Sequence, residues 1–331
     1  MLSHGSGGGM SQRLISDLFL SYLDSDELAK LDDAAELKIG NSRLAFSTDT
    51  FIVKPIFFPG GDIGSLAVSG TVNDILMQGG KPLYLSLGFI IEEGFPIVDL
   101  ERILSSIRDA AREAGVSVVT GDTKVVSNKD MDGIFINTSG IGLIPENVDV
   151  RGANAREGDS VIVSGSIGAH GVAVMVERNG LKWSGDIKSD AAPMTNIVVP
   201  LLSEFGGAVH VLRDPTRGGV ATTLNEIASS SKVTIAVEES SIPVDRHADA
   251  VGEILGIEPL YMPCEGRFLA FVEASRTEEV LDFIRSIDGR LDPRKIGQVE
   301  GHSEGQVHLV TRAGGTRILD VPVGELLPRI C

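Results

Sequence analysis

The sequence predicts an α+β protein of two domains, each with helices layered on one face of a mixed or antiparallel sheet. Three observations carry that prediction. At 331 residues the chain is long enough for two domains of ordinary size. Helix-like and strand-like segments do not alternate one for one; adjacent strand candidates sit at both ends of each half. A polar stretch rich in Gly, Asn and Arg, residues 145–158, separates the two series. Residues 1–150 and 151–320 are therefore read as the domains, with 321–331 as a movable tail.

The elements follow in order. Met1-Leu-Ser-His-Gly-Ser-Gly-Gly-Gly-Met10 reads either as a linker ahead of Met10 or as a loop covering phosphates. Leu14, Ile15, Leu18, Phe19 and Tyr22 then repeat at helical spacing. Leu44-Ala-Phe-Ser-Thr-Asp-Thr50 alternates like a strand and finishes on polar residues. A helix is expected over 63–78, ended by Gly79-Gly80, and a strand over 83–91. Residues 99–114 form the clearest amphipathic helix, with Leu100, Ile103, Leu104, Ile107, Ala111 and Ala114 on one side and Gly115 as the stop. A short strand at 116–120, a polar loop to Gly133 and a strand at 133–144 complete the first half.

Beyond the boundary, 160–164 reads as a strand followed by a glycine-rich turn. Residues 194–204 and 217–229 read as helices, and 232–237, 267–272 and 295–299 as strands. Further helices near 246–255 and 277–287 alternate with them.

Composition narrows the function. Apolar residues at 42% and charged residues at 23% are those of a globular protein. Few aromatics and 39 glycines suit tight turns and close backbone approaches. A net charge of −17 argues against nonspecific nucleic-acid binding, which needs a basic surface. A phosphate ligand would have to be held by backbone amides, a few placed cations and a divalent metal. No apolar run approaches the ~20 residues of a membrane helix. Two cysteines make no disulfide framework, nothing resembles a secretion signal, and a reducing cytoplasm is the expected compartment.

Several segments have the residue types that chemistry requires. Thr48-Asp49-Thr50 puts a short acid at a strand end, as a metal ligand or a plain turn former. Ala67, Gly70, Thr71 and Asp74 share one helical face, small enough for a ligand or another element to approach closely. Val118-Val-Thr-Gly-Asp-Thr-Lys124 ends a strand with acid, hydroxyl and cation adjacent; Asp122 suits Mg²⁺ and Lys124 suits a phosphate, although a surface turn has the same composition. Gly165-Ser-Ile-Gly-Ala-His-Gly171 and Asp214-Pro-Thr-Arg-Gly-Gly219 offer amide donors to an anion, or are ordinary turns. Met262-Pro-Cys-Glu-Gly-Arg267 offers Glu265 as a base, with Cys264 read as a small buried residue. Neither a Walker A sequence, a zinc spacing nor a nucleophile elbow occurs. The tail ends on Cys331, which by itself reads either as an incidental cysteine on a frayed terminus or as a thiol on an arm that, extended from Pro322, would reach roughly 30 Å, enough to enter a cleft.

His4-Gly-Ser-Gly-Gly8, Ser47-Thr-Asp-Thr50, Val72-Asn-Asp-Ile75, Gly121-Asp-Thr-Lys124, Asp214-Pro-Thr-Arg-Gly-Gly219 and Pro328-Arg-Ile-Cys331 together resemble the HypE family of hydrogenase maturation factors, over essentially the whole chain. The interior motifs resemble, more loosely, the wider aminoimidazole ribonucleotide synthetase (PurM-like) superfamily. The resemblance implies two PurM-like α/β domains, with N-terminal strands joining a twin subunit in a shared barrel and a layered C-terminal domain. It implies an ATP- and Mg²⁺-dependent carbamoyl dehydratase. A carbamoyltransferase, HypF, would load Cys331; dehydration would give a thiocyanate; and the HypC–HypD complex would accept the cyanide for the iron of [NiFe] hydrogenase. Asp49, Asp74 and Asp122 are then the expected metal ligands. Gly5, Gly7, Gly8, Asn73, Gly121 and Thr123 are the expected nucleotide contacts. Cys331 is the carrier, Glu265 the proton acceptor with neutral Lys124 as competitor, and His4 part of the closing loop. The tail's own carboxylate disfavours thiolate, so a cationic group is expected to activate the sulfur. A selenophosphate synthetase would want a cysteine near the N-terminal glycines, and none is there.

Overall fold

The structure, a computed structural model, describes residues 9–23, 25–289, 291–322, 327 and 329–331. The chain starts with α1 (Gly9–Leu14), a π-helical turn (Ile15–Phe19) and α2 (Leu20–Leu23). The first sheet follows from β1 (Ala35–Ile39), β2 (Ser42–Phe51), β5 (Lys81–Glu92), β6 (Ser117–Val126) and β7 (Ile134–Ile144), in the order β1-β2-β7-β5-β6. All neighbours are antiparallel except β5 and β6. A small hairpin, β3 (Phe57–Phe58) and β4 (Gly61–Asp62), leads into α3 (Ile63–Met77). Helix α4 (Ile97–Ala114) packs on α3 and ends at Gly115, whose φ of 70° is the left-handed stop its glycine allows.

Burial alternates along β2 and β7, so one face of this sheet lies under helices and the other is open. The covering element is α3. Its start is fixed by Asp62, whose Oδ1 accepts from the Gly64 and Ser65 amides while Ser65 Oγ accepts from the Asp62 amide. The small face of α3 packs on β2 and β7 rather than on another helix. Thr138 Oγ1 on β7 donates to the Ala67 carbonyl, and Thr138 meets Thr71 side chain to side chain. Gly142 lets the layers close up, since a Cβ there would stand 2.5 Å from Ile75 Cγ2.

The second sheet is built from β8 (Ser160–Val163), β9 (Val209–Arg213), β10 (Val233–Glu238), β11 (Leu269–Val272), β12 (Arg294–His302), β13 (Gln306–Val310) and β14 (Thr316–Ile318), ordered β14-β13-β10-β12-β8-β11-β9. It is antiparallel apart from the β10–β13 pair. Helices α5 (Ala169–Arg178), α6 (Thr195–Phe205), α7 (Gly219–Ser231), α8 (Arg246–Leu255) and α9 (Thr277–Ile287) surround it. The expected one-sided layering holds for the first sheet and differs here. Val161, Val163 and Phe271 pack with Val220, Leu224 and Ile227 of α7. Ile162, Ala270 and Val272, pointing the other way, pack with Leu202 and Phe205 of α6 and Ile284 of α9. The sign was in the sequence: Val161-Ile-Val163 and Leu269-Ala-Phe-Val272 are continuous apolar runs, the pattern of strands buried on both faces.

Two local expectations are corrected. The strand expected at 116–120 continues to Val126, so Gly121, Asp122, Thr123 and Lys124 lie within an edge strand and not in a turn at its end. Helix α5 and strands β1, β3, β4, β9, β13 and β14 were not anticipated.

Candidate active site

A cleft of about 610 Å³ opens between the two sheets, a size usual for small-ligand sites. Leu14, Ile15 and Phe19 line one wall. Strand β2 supplies Asp49, α3 supplies Gly70 and Asp74, and the segment before α7 supplies Asp214 and Arg217. Glu265, just ahead of β11, and Cys331 of the tail complete it.

Each acid reaches the cleft for a local reason. Asp49 follows Ala45 and Ser47 on the inward side of β2, near the position where a Gly70 side chain would stand. Asp74 extends the small face of α3 by one turn and accepts a 2.6 Å hydrogen bond from Ser47 Oγ. Asp214 leaves the end of β9, and Gly218 and Gly219, both left-handed, turn the chain into α7 so that Arg217 projects inward. Glu265 is buried beside buried Cys264.

The electrostatics are those of crowded carboxyls. Burial raises the pKa of Asp49, Asp74, Asp214 and Glu265. Mutual repulsion adds to this: Asp214 and Asp49 act on Asp74, Asp33 and Glu265 on Asp214, and Asp190, Asp49 and Asp74 on Glu265. Asp214 Oδ2 and Glu265 Oε1 are buried with no hydrogen-bond partner among the described residues. Arg217 opposes this charge. Its guanidinium stands 3.7 Å from Asp49 Oδ1 and shares the cleft with the Cys331 sulfur. The Cys331 thiol is pushed up, first by burial and then by Glu265, with Arg217 pulling the other way. A second buried cation, Arg213, is shared by Asp33 at 2.8 Å and Glu226 at 3.0 Å and forms the cleft wall.

The donor set suits a hard divalent cation. Asp49, Asp74 and Asp214 offer carboxylate oxygens whose crowding a cation would relieve, and an unpartnered buried oxygen is among them. No preformed group of three His, Cys, Asp or Glu for a metal exists among the described residues. Mg²⁺ normally takes one or two carboxylates together with phosphate oxygens, so these residues fit an ion that arrives with a nucleotide.

Of the residues expected from sequence, Asp49, Asp74, Glu265 and Cys331 converge. Gly121, Asp122, Thr123 and Lys124 are exposed on β6 and do not line this cleft within one chain; Asp122 pairs with Lys124 at 2.7 Å. Asn73 is placed beside this cleft on α3, at the contact with the second domain. Its Nδ2 donates to the Ala192 and Glu265 carbonyls and its Oδ1 accepts from the Met194 amide, so the side chain is committed inside the protein. In this arrangement it clamps the Glu265 loop to α3. His4, Gly5, Gly7 and Gly8 lie outside the described residues. Sequence reasoning missed Arg217 and Asp214 as individual site residues, although Asp214-Pro-Thr-Arg-Gly-Gly219 had been singled out for its glycines. An acid and a cation three apart ahead of a helix were the available signal.

Residues 31–144 match the AIR synthase related protein N-terminal domain and 156–310 the C-terminal domain of the same family. The chain is 46% identical over 331 residues to carbamoyl dehydratase HypE of Cupriavidus necator, covering 100% of this chain and 94% of that one. A HypE crystal structure in complex with ATP superposes at a TM-score of 0.84 with 47% identity, over 99% of this chain and 98% of that one. HypE in a HypE–HypF complex superposes at 0.88 with 45% identity, over 93% of this chain and 99% of that one. No helix among the described residues is long and apolar enough to cross a membrane. With two domains of this kind and this degree of identity along its whole length, the chain belongs to the HypE family of carbamoyl dehydratases.

Proposed function

We propose that this protein dehydrates an S-carbamoyl group on Cys331 to an S-cyanate at the expense of ATP, and that the cyano group becomes the cyanide ligand of the iron in [NiFe] hydrogenase. The observation that supports this best is the position of Cys331. Its sulfur shares a cleft with Arg217 and with Glu265, whose inner oxygen lacks a partner.

The chemistry balances as R–S–C(=O)–NH₂ going to R–S–C≡N, with loss of the oxygen and both nitrogen-bound protons. Bound ATP with Mg²⁺ supplies a phosphoryl group that makes the amide oxygen a leaving group. Asp49, Asp74 and Asp214 would hold the Mg²⁺. Arg217 neutralises negative charge beside the sulfur and the carbamoyl oxygen. As the carboxylate, Glu265 takes one proton from the carbamoyl nitrogen as the oxygen is phosphorylated, its raised pKa making that carboxylate a stronger base. The oxygen then leaves as inorganic phosphate that carries off the second proton. Asn73 keeps the Glu265 loop against α3 while this occurs. The cation expected to activate the sulfur is Arg217 in this reading.

A homodimer is part of the proposal. Strand β6 is an edge, exposed along nearly its whole length, with Val118, Val119 and Val125 outward. Tyr84 and Ile90 stand on the open face of the same sheet. A second copy pairing there would cover the edge and bring its own Asp122 and Lys124 toward a neighbouring cleft. HypF is the proposed carbamoyl donor, in keeping with the related HypE solved with HypF, and the HypC–HypD complex the acceptor, all in the cytoplasm.

Intact mass of the protein with HypF, carbamoyl phosphate and ATP tests the reading. A carbamoyl gain followed by loss of one water, absent in Cys331→Ala, is the expected result. An active mixture that leaves the mass unchanged would overturn it.

A further inference from the structure

The glycine-rich segment Gly165–Gly171, which the sequence offers as an anion site, is used differently. Its histidine, His170, is fully enclosed in the second residue of α5. Nε2 lies 2.9 Å from the Ile330 carbonyl, and a carbonyl only accepts, so Nε2 carries the proton. Nδ1 then accepts from Ser189 Oγ at 2.8 Å, and that hydroxyl in turn accepts from the Ala191 amide at 3.0 Å. Phe58 meets the ring edge-on at 5.4 Å. Both ring nitrogens are therefore engaged, and the buried ring is a donor aimed at the carbonyl directly before Cys331.

The far end of the same helix holds the next carbonyl back. Arg178 Nη2 donates to the Arg329 carbonyl at 2.7 Å, and Nε donates to the Lys54 carbonyl at 2.7 Å. The tail also pairs with the chain beyond β2: the Lys54 amide donates to the Arg329 carbonyl at 3.1 Å and the Ile52 amide to a backbone carboxylate oxygen of Cys331 at 3.4 Å. Arg329 turns left-handed, with φ of 49°, and sends its guanidinium to Asp132 at 2.6 Å and to the Ile52 carbonyl at 3.1 Å. Ile330 fills a buried apolar seat between these grips.

We infer that His170 and Arg178 are positioning residues: from the two ends of α5 they hold the carbonyls of Ile330 and Arg329, set the Cys331 sulfur at Arg217 and Glu265, and must let go before the thiol can be presented to a carbamoyl donor. The inference deepens the proposed dehydration and rests on it for the catalytic part alone; the holding of the tail stands on the contacts above. Its logic is that of a two-position arm. Catalysis requires the sulfur inside, loading requires it outside, and the hydrogen bonds that favour one position disfavour the other. Both grips act on backbone carbonyls, so they are independent of whether the sulfur is free, carbamoylated or cyanated, and a single latch serves every stage.

The experiment is the rate of Cys331 alkylation by iodoacetamide, mapped by peptide, with buried Cys264 as internal reference. It is run on the full chain, and on the His170→Ala, His170→Gln and Arg178→Gln variants. Loss of one net hydrogen bond should speed alkylation by about 2- to 10-fold in His170→Ala and in Arg178→Gln. His170→Gln keeps an amide donor and should fall between His170→Ala and the unaltered chain. Arg178 is only half-buried, so Arg178→Gln keeps the test usable should the His170 variants fold poorly. In single-turnover dehydration of the carbamoylated proteins, the rate should drop by a similar factor with the KM for ATP unchanged. Alkylation at the unaltered rate in Arg178→Gln and in folded His170→Ala would overturn the latch. Faster alkylation with an unaltered dehydration rate would overturn the positioning role. Faster alkylation with no dehydration in any protein, the unaltered chain included, would support the latch and sink the proposed reaction instead.

Discussion

Arg217 and Asp49 face each other at 3.7 Å across the cleft, and the same guanidinium is the cation opposing the buried Cys331 thiol. One side chain thus pairs with Asp49, one of the acids proposed to hold the metal, and shares the cleft with the sulfur proposed to carry the carbamoyl group. Replacing it should separate loading from dehydration. Arg217→Ala is expected to slow single-turnover dehydration by about 10²- to 10³-fold, the cost of losing one placed charge-stabilising donor. Arg217→Lys should recover part of it. Equal rates in all three proteins would remove Arg217 from the chemistry.

Glu265 makes a prediction for both activity and stability. Glu265→Gln should still accept a carbamoyl group but should not dehydrate it, as intact mass would show. The stability effect has a definite sign. The folded-state pKa is raised by burial above the ordinary value of 4.5, so between 4.5 and the folded value the native state binds a proton that the unfolded chain has released. Stability contributed by this group is complete below 4.5 and is lost as pH rises through that window. The slope reaches about 1.4 kcal/mol per pH unit. Urea titrations at pH 5 and pH 8 should therefore show Glu265→Gln gaining on the unaltered chain at the higher pH. A constant difference would contradict this assignment.

Asn73 holds three backbone groups of the opposite domain: the Ala192 and Glu265 carbonyls and the Met194 amide. Asn73→Ala should cost about 2–4 kcal/mol, since it leaves buried groups unpaired. Nucleotide affinity of the folded variant should change less than about tenfold, which one net hydrogen bond spans. A large loss of affinity at unchanged stability, by calorimetry and denaturation, would restore the nucleotide role expected from sequence.

The edge strand gives a test of assembly. Val119→Glu and Val125→Glu place charge on exposed apolar positions of β6 and should convert a dimer to a monomer in sedimentation. If Asp122 and Lys124 act across subunits, ATP turnover should fall with dimer content. A monomeric variant with full turnover would confine the site to one chain.

Much of the fold was legible because it rests on periodicity. The helices at 63–78 and 99–114 were read within a few residues of Ile63–Met77 and Ile97–Ala114, where caps and apolar spacing are local properties. Asp49, Asp74, Glu265 and Cys331 were readable as candidates because a short acid at a strand end, a carboxylate on a small-residue face and a thiol on an arm carry their chemistry in residue type. Their convergence was not readable from spacing alone. Cys331 and Asp49 are brought together by a tail that pairs with residues 52–54, a contact between opposite ends of the chain that no local pattern encodes. Lys124 and Asn73 show the converse. Both have the right chemistry, but folding leaves Lys124 on an exposed edge of its own chain and commits three hydrogen bonds of Asn73 to the backbone of Ala192, Met194 and Glu265. His170, by residue type more often a structural hydrogen-bonding histidine than a catalyst, is one here, and only the fold shows that its partner is the Ile330 carbonyl. Residue type states what a side chain is able to do, whereas burial, register and long-range pairing select which partner it meets.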